Sequence, residues 1–167
     1  MNYITHSIGG IGAGLLVLSV AGFGPDPAAQ GAVMTGALIG ALFPDIDHRQ
    51  SYISHKAPVA SFAASTVFKH RGFLHSPLFI LLAAGALTAG SRTMLTGAQL
   101  QMASMFLSGF IPGMISHIVL DTFNKQGIPW LWPYSKRFRL LSIRTDGIME
   151  TAFAVLICAL IGYRFIH

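Results

Sequence analysis

The order of apolar and polar residues along this chain gives five long apolar runs separated by short polar or turn-rich segments. The runs are 7–24, 28–43, 77–90, 98–120 and 148–166. A helix crosses a bilayer with roughly 17 to 25 mostly apolar residues, and the Gly and Ala content of the two short runs suits close packing between membrane helices. The third run reaches full length if the next basic side chain snorkels to the interface. We therefore predict an all-α, polytopic membrane helix bundle of four or five spans.

The composition agrees with a membrane protein. Of the 167 residues, 53% are hydrophobic and 10% are charged, whereas an average soluble domain carries about 25% charged residues. The spans leave no room for a separate soluble domain, so residues 1–167 are predicted to form one integral-membrane domain. The first run lacks the positive n-region of a secretory signal and is interpreted as a retained span. The single cysteine, Cys158, excludes a disulfide framework and a thiolate metal cluster.

Basic residues are distributed unequally between the two ends of these spans. Five spans place the N-terminus and the segments 44–76 and 121–147 on one side of the membrane. The other side carries only two basic residues, Arg92 and Arg164. The first side carries Arg49, Lys56, Lys69, Arg71, Lys125, Lys136, Arg137, Arg139 and Arg144. The positive-inside rule therefore predicts a cytoplasmic N-terminus. The net charge of +5 needs no nucleic-acid partner, because the basic residues form neither a dense run nor a recognisable binding motif.

The side chains that carry chemistry fall on the same side as the basic residues. They come from separate parts of the sequence and comprise His6, His48, His55, His70, His75 and His117 together with Asp45, Asp47, Asp121, Asp146 and Glu150. Ionisable groups near membrane depth usually serve function. We therefore expect a polar His/Asp pocket at the cytoplasmic end of the bundle.

The segment SHIVLD places His117 and Asp121 four residues apart, so that both side chains lie on one face of a helix. This is a spacing used for metal ligands within an otherwise uncharged segment. The alternative is a helix end at which the two side chains bond each other or meet the lipid headgroups. Pro112, earlier in the same run, predicts a kink.

The segment FPDIDHRQS follows the second run, and its proline is expected to end the helix. Asp45 and Asp47 share one face if the following residues are extended, whereas Asp45 and His48 share one if they are helical. Either pair suits Zn²⁺, Mn²⁺ or Fe²⁺. The alternative is an acidic turn at the membrane interface.

The segment HRGFLHS stands immediately before the third run. His70 and His75 are five residues apart and cannot face the same way on one continuous helix. Ser76 and Pro77 are typical of an N-cap and a first helical residue, so the loop ends at His75 and can bend to bring both imidazoles to one site. Arg71 either clamps an anionic substrate group or is only a topology signal.

Two further segments have both a structural and a functional interpretation. PWLWPYSKRFR, residues 129–139, alternates aromatic and basic residues and is typical of an interfacial belt that grips anionic headgroups. In RTDGIME, Asp146 and Glu150 suit the start of a helix, and Glu150 is a reserve ligand or general base. His6, close to the start of the first run, is a candidate ligand because it lies on the same side of the membrane as the other ionisable groups.

The ordered motifs TH, PDIDH, HRGFLHS, HxxxD and GIPWLWP resemble the YdjM-like family of bacterial inner-membrane metal-dependent hydrolases, over nearly the whole chain. This resemblance implies a multi-spanning hydrolase of the bacterial inner membrane that uses a divalent metal, regulated in some members within the DNA-damage response. The HxxxD pair is also similar to that of zinc-dependent phospholipase C enzymes, an analogy that does not fix function.

These observations combine into a hypothesis of metal-dependent hydrolysis at the cytoplasmic interface. The preferred ligands are His6, Asp45, His70, His75, His117 and Asp121, with Asp47 and His48 beside them. A single catalytic zinc needs only three protein ligands, so this set favours two ions, preferably zinc and otherwise manganese or iron. The metal would activate water against an ester or phosphoester, and Asp47 or Glu150 could accept the proton.

The expected partners are the lipid bilayer and an amphiphilic or phosphorylated small molecule, and the oligomeric state is left open. One alternative function is a divalent-metal transporter, which should carry ionisable groups near the bilayer midplane. The candidate ligands instead crowd one end of the spans, which favours an enzyme. A second alternative is a non-catalytic membrane regulator.

Overall fold

The structure is a computed structural model that describes residues 1–23, 25–47, 51–56, 59, 62, 72–134 and 136–166. The α-helices in these residues are α1 (Tyr3–Ala21), α2 (Pro27–Leu42), α3 (Tyr52–Lys56), α4 (Pro77–Met94), α5 (Gly97–Thr122) and α6 (Ile148–Ile166). Short 3-10 turns cover Phe43–Asp47 and Phe73–His75. No strand occurs in the described residues, where the only β pairing is two isolated bridges in the segment 123–147. The predicted all-α class is confirmed.

Four helices are long and apolar enough to cross a membrane: α1, α2 with its extension to Ile46, α4 and α5. The predicted membrane helix bundle is therefore confirmed at four candidate spans. Helix α6 has the predicted bounds and 19 residues, and its crossing of the bilayer stays a prediction.

Local capping explains where the helices begin, and it corrects one predicted boundary. The Asn2 side chain accepts a hydrogen bond from the Thr5 backbone N–H at 3.0 Å, so α1 begins at Tyr3 and includes His6 within its first turns. At α4 the predicted cap is confirmed, because Ser76 Oγ accepts from the Phe79 N–H at 3.1 Å and Pro77 is the first helical residue. Helix α4 also continues past Arg92, to Met94.

Helices α1, α2 and α5 form the inner part of the bundle, while α4 packs on α5 and α6 packs on α1. Glycines let α2 and α5 approach backbone to backbone. A Cβ added to Gly40 would collide with the Phe110 carbonyl, and one added to Gly113 would collide with the Ala37 carbonyl. This close packing of small residues fixes the relative position of the two helix ends that lead to the site.

Candidate metal centre

Five ionisable side chains from four helix ends meet at one end of the bundle. His6 lies near the start of α1, Asp45 in the turn after α2, His75 in the turn before α4, and His117 and Asp121 near the end of α5. The structure therefore brings together five of the seven metal ligands named from the sequence. Two overlapping groups, each with ligand atoms within 4.8 Å of one another, could hold a metal ion. They are His6–Asp45–His117 and His75–His117–Asp121.

The histidines and carboxylates of these groups are in close contact. His6 Nε2 lies 3.4 Å from Asp121 Oδ1, and the His6 ring stacks on that of His117 with centroids 3.8 Å apart. His75 Nε2 lies 3.3 Å from Asp45 Oδ1 and 4.0 Å from Asp121 Oδ2. His117 Nε2 lies 3.8 Å from both Asp45 Oδ1 and Asp121 Oδ2. The five side chains thus surround a common space.

The orientation of His117 is set by the backbone of α2. Its Nδ1 lies 2.6 Å from the Ala41 carbonyl oxygen, to which it donates a hydrogen bond. The proton is then on Nδ1, so Nε2 presents its lone pair to the two carboxylates. This is the arrangement by which proteins orient metal-binding histidines. The HxxxD spacing did not reveal this contact, which depends on the close approach of α2 and α5.

Burial distinguishes these groups from an ordinary polar surface. The side chains of His6, His75, His117 and Asp121 are fully buried, whereas that of Asp45 is 15% exposed. Among the described residues, both ring nitrogens of His6 and Nε2 of His117 have no hydrogen-bond partner. Buried polar atoms without partners are costly, and a cation between the two carboxylates would satisfy them. Asp45 marks the side on which the site opens.

The chemistry of the donor atoms suits a small divalent ion, and their spacing is close to what such an ion requires. Two ligands that are each about 2.0–2.1 Å from a tetrahedral zinc lie roughly 3.3–3.4 Å apart. The closest nitrogen–oxygen pairs here, at 3.3 and 3.4 Å, match that spacing but join a residue of one group to a residue of the other. Within the groups the corresponding distances are 3.8 to 4.0 Å, so an ion would draw these side chains slightly closer together. The nitrogen and oxygen donors also suit zinc, manganese or iron. The residues present therefore fit the divalent metal that the resemblance implies.

Hydrogen bonds from the short helix α3 and from the residue before it hold the turn that carries Asp45. Ser51 Oγ donates to the Asp45 carbonyl oxygen at 2.7 Å, and Ser54 Oγ donates to the Ile46 carbonyl oxygen at 3.2 Å. No motif in the sequence marks these serines. Their proximity to PDIDH in the sequence was the one available signal.

Asp121 also contacts the positively charged amino group of Met1. The amino nitrogen of Met1 donates a hydrogen bond to Asp121 Oδ1 at 2.6 Å, and both groups are buried. Short bonds between charged groups are the strong class of hydrogen bond. The carboxylate of Asp121 is therefore placed where positive charge is stabilised.

Glu150 does not belong to either group of candidate ligands. Its carboxylate accepts hydrogen bonds from the backbone N–H groups of Asn2 and Asp146, each at 2.6 Å, and from the Thr5 hydroxyl at 3.1 Å. None of these contacts is with a described candidate ligand, so they do not support its predicted role as a reserve ligand or general base. The structure instead places Glu150 between the starts of α1 and α6.

Four residues named from the sequence cannot be located in the site. His48, His70 and Arg71 lie outside the described residues. Asp47 ends the 3-10 turn that carries Asp45, and its side chain is outside the described part of the chain. Their roles as ligands, proton acceptor or substrate clamp stay predictions.

The fold and the site define a membrane protein of several apolar helices with a buried His/Asp cluster at one end. Comparison with known proteins identifies the family: the chain belongs to the family described as YdjM inner membrane protein, whose sequence model matches residues 1–166. The predicted membership of the YdjM-like family is thereby confirmed.

Individual relatives agree with this assignment. YvsG of Bacillus subtilis (strain 168) is 37% identical over 148 residues, which cover 87% of this chain and 82% of YvsG. The inner membrane proteins YdjM of Escherichia coli (strain K12) and Shigella flexneri are each 36% identical over 110 residues, covering 65% of this chain and 53% of their own length. No solved structure matches the chain.

Proposed function

We propose that this protein is a metal-dependent hydrolase of the bacterial inner membrane that acts on an ester or phosphoester of an amphiphilic substrate. The observation that carries the proposal is the cluster of three buried histidines and two aspartates contributed by four helix ends. Such groups are expensive to bury within a membrane bundle unless they serve a ligand or a reaction.

The chain's own residues have separate tasks in this proposal. His6, His75 and His117 supply nitrogen ligands, and Asp45 and Asp121 supply the negative charge that a divalent ion requires. Asp45 is the ligand nearest to the opening of the site. A bound divalent ion would supply Lewis acidity and lower the pKa of water toward neutrality. Asp47, two residues beyond Asp45, is the proposed proton acceptor.

The geometry bears on the number of ions. His117 belongs to both candidate groups, but its Nδ1 bonds the Ala41 carbonyl, so only Nε2 is free to bind an ion. The described side chains therefore complete one three-ligand group at a time. We propose one firmly held ion, preferably zinc, and assign a second ion to sites that also use His48 or His70.

The surroundings of the site support an amphiphilic substrate. The segment 123–147 covers the same end of the bundle, and its exposed residues combine basic groups with large apolar and aromatic side chains. These residues are Lys125, Trp130, Leu131, Trp132, Tyr134, Lys136, Arg137, Arg139, Leu140, Leu141 and Arg144. This composition is typical of the interface with anionic headgroups. A substrate whose scissile group lies at headgroup depth would reach the site without leaving the membrane.

A transporter is less well supported. The ligands of both candidate groups lie at one end of their helices, whereas a transport site is expected near the middle of the bilayer. The opposite end of the described bundle carries apolar grooves, such as the one between α4 and α5 around Met94 and Met102.

Hydrolysis can be tested with the purified full chain in detergent. We expect release of phosphate or alcohol from at least one member of a panel of aryl phosphates, aryl esters and phospholipids. Chelation should abolish the release and zinc or manganese should restore it. If the metal-loaded protein cleaves nothing in this panel, the proposed reaction class is contradicted.

The orientation can be tested separately with single cysteines in a Cys158→Ser background. Lys125→Cys lies at the site end and Thr96→Cys at the opposite end, and both positions are exposed. Because basic residues favour the cytoplasmic side, an impermeant maleimide added to intact cells should label only Thr96→Cys. Labelling of both positions, or of Lys125→Cys alone, would contradict a cytoplasmic site.

A further inference from the structure

Glu150 is a buried carboxylate that the proposed reaction does not use. It is only 1% exposed and is the third residue of α6, which supplies no residue to either candidate metal group. A buried carboxylate must be compensated by hydrogen bonds or by opposite charge. The partners that compensate Glu150 therefore indicate its role.

Two of the three partners lie at the start of α1, almost the whole chain away in sequence. Oε1 accepts from the Asn2 backbone N–H at 2.6 Å and from the Thr5 hydroxyl at 3.1 Å. Oε2 accepts from the Asp146 backbone N–H at 2.6 Å, in the loop that leads into α6. Glu150 thus joins the N-cap region of α1 to the beginning of α6.

The same hydrogen bonds determine the position of the first turn of α1. Asn2 is the N-cap of that helix, and its Oδ1 accepts from the Thr5 backbone N–H at 3.0 Å. The single proton of the Thr5 hydroxyl is shared between Asn2 Oδ1, 3.0 Å away, and Glu150 Oε1. Glu150 therefore bonds the capping residue and the residue that the cap holds. The next residue along the helix is His6.

His6 depends on this backbone support more than His117 does. The Nδ1 of His117 is oriented by its bond to the Ala41 carbonyl, whereas neither ring nitrogen of His6 has a hydrogen-bond partner among the described residues. The His6 ring stacks on that of His117, and its Nε2 lies 3.4 Å from the Asp121 carboxylate. A shift in the first turn of α1 would consequently move the His6 nitrogens directly.

We infer that Glu150 is a positioning residue that holds His6 in the metal centre through Asn2 and Thr5, and not a ligand or a general base. This inference rests on the proposed metal site. It gives α6 a function in the site and explains why a threonine precedes His6: the hydroxyl of Thr5 links the cap of α1 to Glu150.

The test is a double-mutant cycle on metal affinity in the full-length protein. Glu150→Gln keeps the side-chain shape but replaces one acceptor oxygen with a donor amide that would face N–H or O–H groups. We expect it to weaken Zn²⁺ affinity about tenfold, the scale for groups that orient ligands. It should have no added effect in a His6→Ala background and its full effect in a His75→Ala background. Equal effects in the two backgrounds would overturn the inference.

Asp146→Asn is the matched control. Asp146 lies in the same loop at a φ of 59°, which asparagine tolerates, and its exposed side chain accepts from Asn2 Nδ2 through an oxygen that asparagine retains. The control should bind Zn²⁺ as the parent does. Thr5→Val removes the other half of the contact and should reproduce the Glu150→Gln pattern, including its dependence on His6. If Glu150→Gln does not fold, the effect of Thr5→Val on Zn²⁺ affinity in the two backgrounds tests the inference by itself.

A second readout separates this inference from the proposed function. Hydrogen–deuterium exchange of residues 2–8 should be faster in Glu150→Gln and Thr5→Val than in the parent and in Asp146→Asn. If the parent binds no metal but this exchange difference is present, the proposed metal site fails and the positioning of the His6 turn stands. Unchanged exchange in both variants would overturn the inference even if the parent binds metal.

Discussion

The inner helices α1, α2 and α5 and the outer helices α4 and α6 contribute to the site in different ways. In the most apolar part of α2 and of α5, 39% of the residues are buried, compared with 6% in α4. The inner helices meet through glycine contacts and supply His6, His117 and Asp121 directly, with Asp45 in the turn after α2. Rigid backbone packing thus places most of the ligands.

Among the described residues, the outer helices contribute to the site through their N-terminal ends. Helix α4 contributes His75 from the turn that precedes it, and α6 contributes Glu150, which contacts the start of α1. Both residues lie where a capped or hydrogen-bonded helix start meets the inner bundle. The comparison shows that the site uses the outer helices for their N-terminal ends, while the faces of these helices that do not pack on α5 or α1 are available to lipid.

The largest expected effect comes from breaking the inner packing. Gly113→Leu would push a side chain into the backbone of Ala37 and Ala41, which cannot move aside as a side chain can. We expect a loss of about 3 kcal/mol in the free energy of unfolding, the upper end of the usual cost of overpacking, seen as a loss of monodisperse protein on size exclusion. Gly85→Leu in α4 is the control, because nothing lies within 4 Å of its added Cβ. An equal loss of stability in the two variants would contradict the distinction between inner and outer helices.

An intermediate effect on metal affinity is expected from removing either a ligand on an inner helix or the ligand in the turn before the outer helix α4. His6→Ala removes an inner ligand and leaves the group His75–His117–Asp121 complete, whereas His75→Ala leaves His6–Asp45–His117 complete. Each single variant should therefore still bind an ion, with the larger loss of affinity, about tenfold, in His6→Ala, and the double variant should lose it. Isothermal titration with Zn²⁺ measures this. Complete loss of binding in either single variant would show that the two groups do not substitute for each other.

The smallest effect is expected where the segment 123–147 contacts the end of α5. Trp130 Nε1 donates a hydrogen bond to Thr122 Oγ1 at 3.1 Å. Trp130→Phe should therefore cost about 1 kcal/mol and lower the Tm by about 2–4 °C, without changing metal content. Trp132→Phe is the comparison, since it keeps an aromatic ring near Phe73. A change in metal content with Trp130→Phe would show that this segment positions ligands as well as covering them.

Much of this architecture could be predicted from the sequence, because its signals are local. Apolar runs predict helices, Ser76 followed by Pro77 predicts the start of α4, and counting spans predicts which ends converge. The HxxxD spacing similarly predicts that His117 and Asp121 lie together on one face of α5.

The rest depends on contacts between residues that are far apart in the chain. The bond from His117 to the Ala41 carbonyl requires glycines of α2 and α5 to face each other, and apolar periodicity does not specify that register. Glu150 has the composition of an ordinary helix start, and only the folded chain brings it to Asn2 and Thr5. The sequence therefore indicated the ligands better than the groups that orient them.

The metal content of the purified full-length protein tests the central claim most directly. Elemental analysis after removal of loosely bound ions should find about one divalent ion per chain in the parent and in His55→Ala, whose histidine is exposed on α3 and belongs to neither group. His117→Ala should lose the ion, because His117 is the ligand that both groups share. Full metal content in His117→Ala, or no metal in the parent after growth and purification with added zinc, would contradict the account.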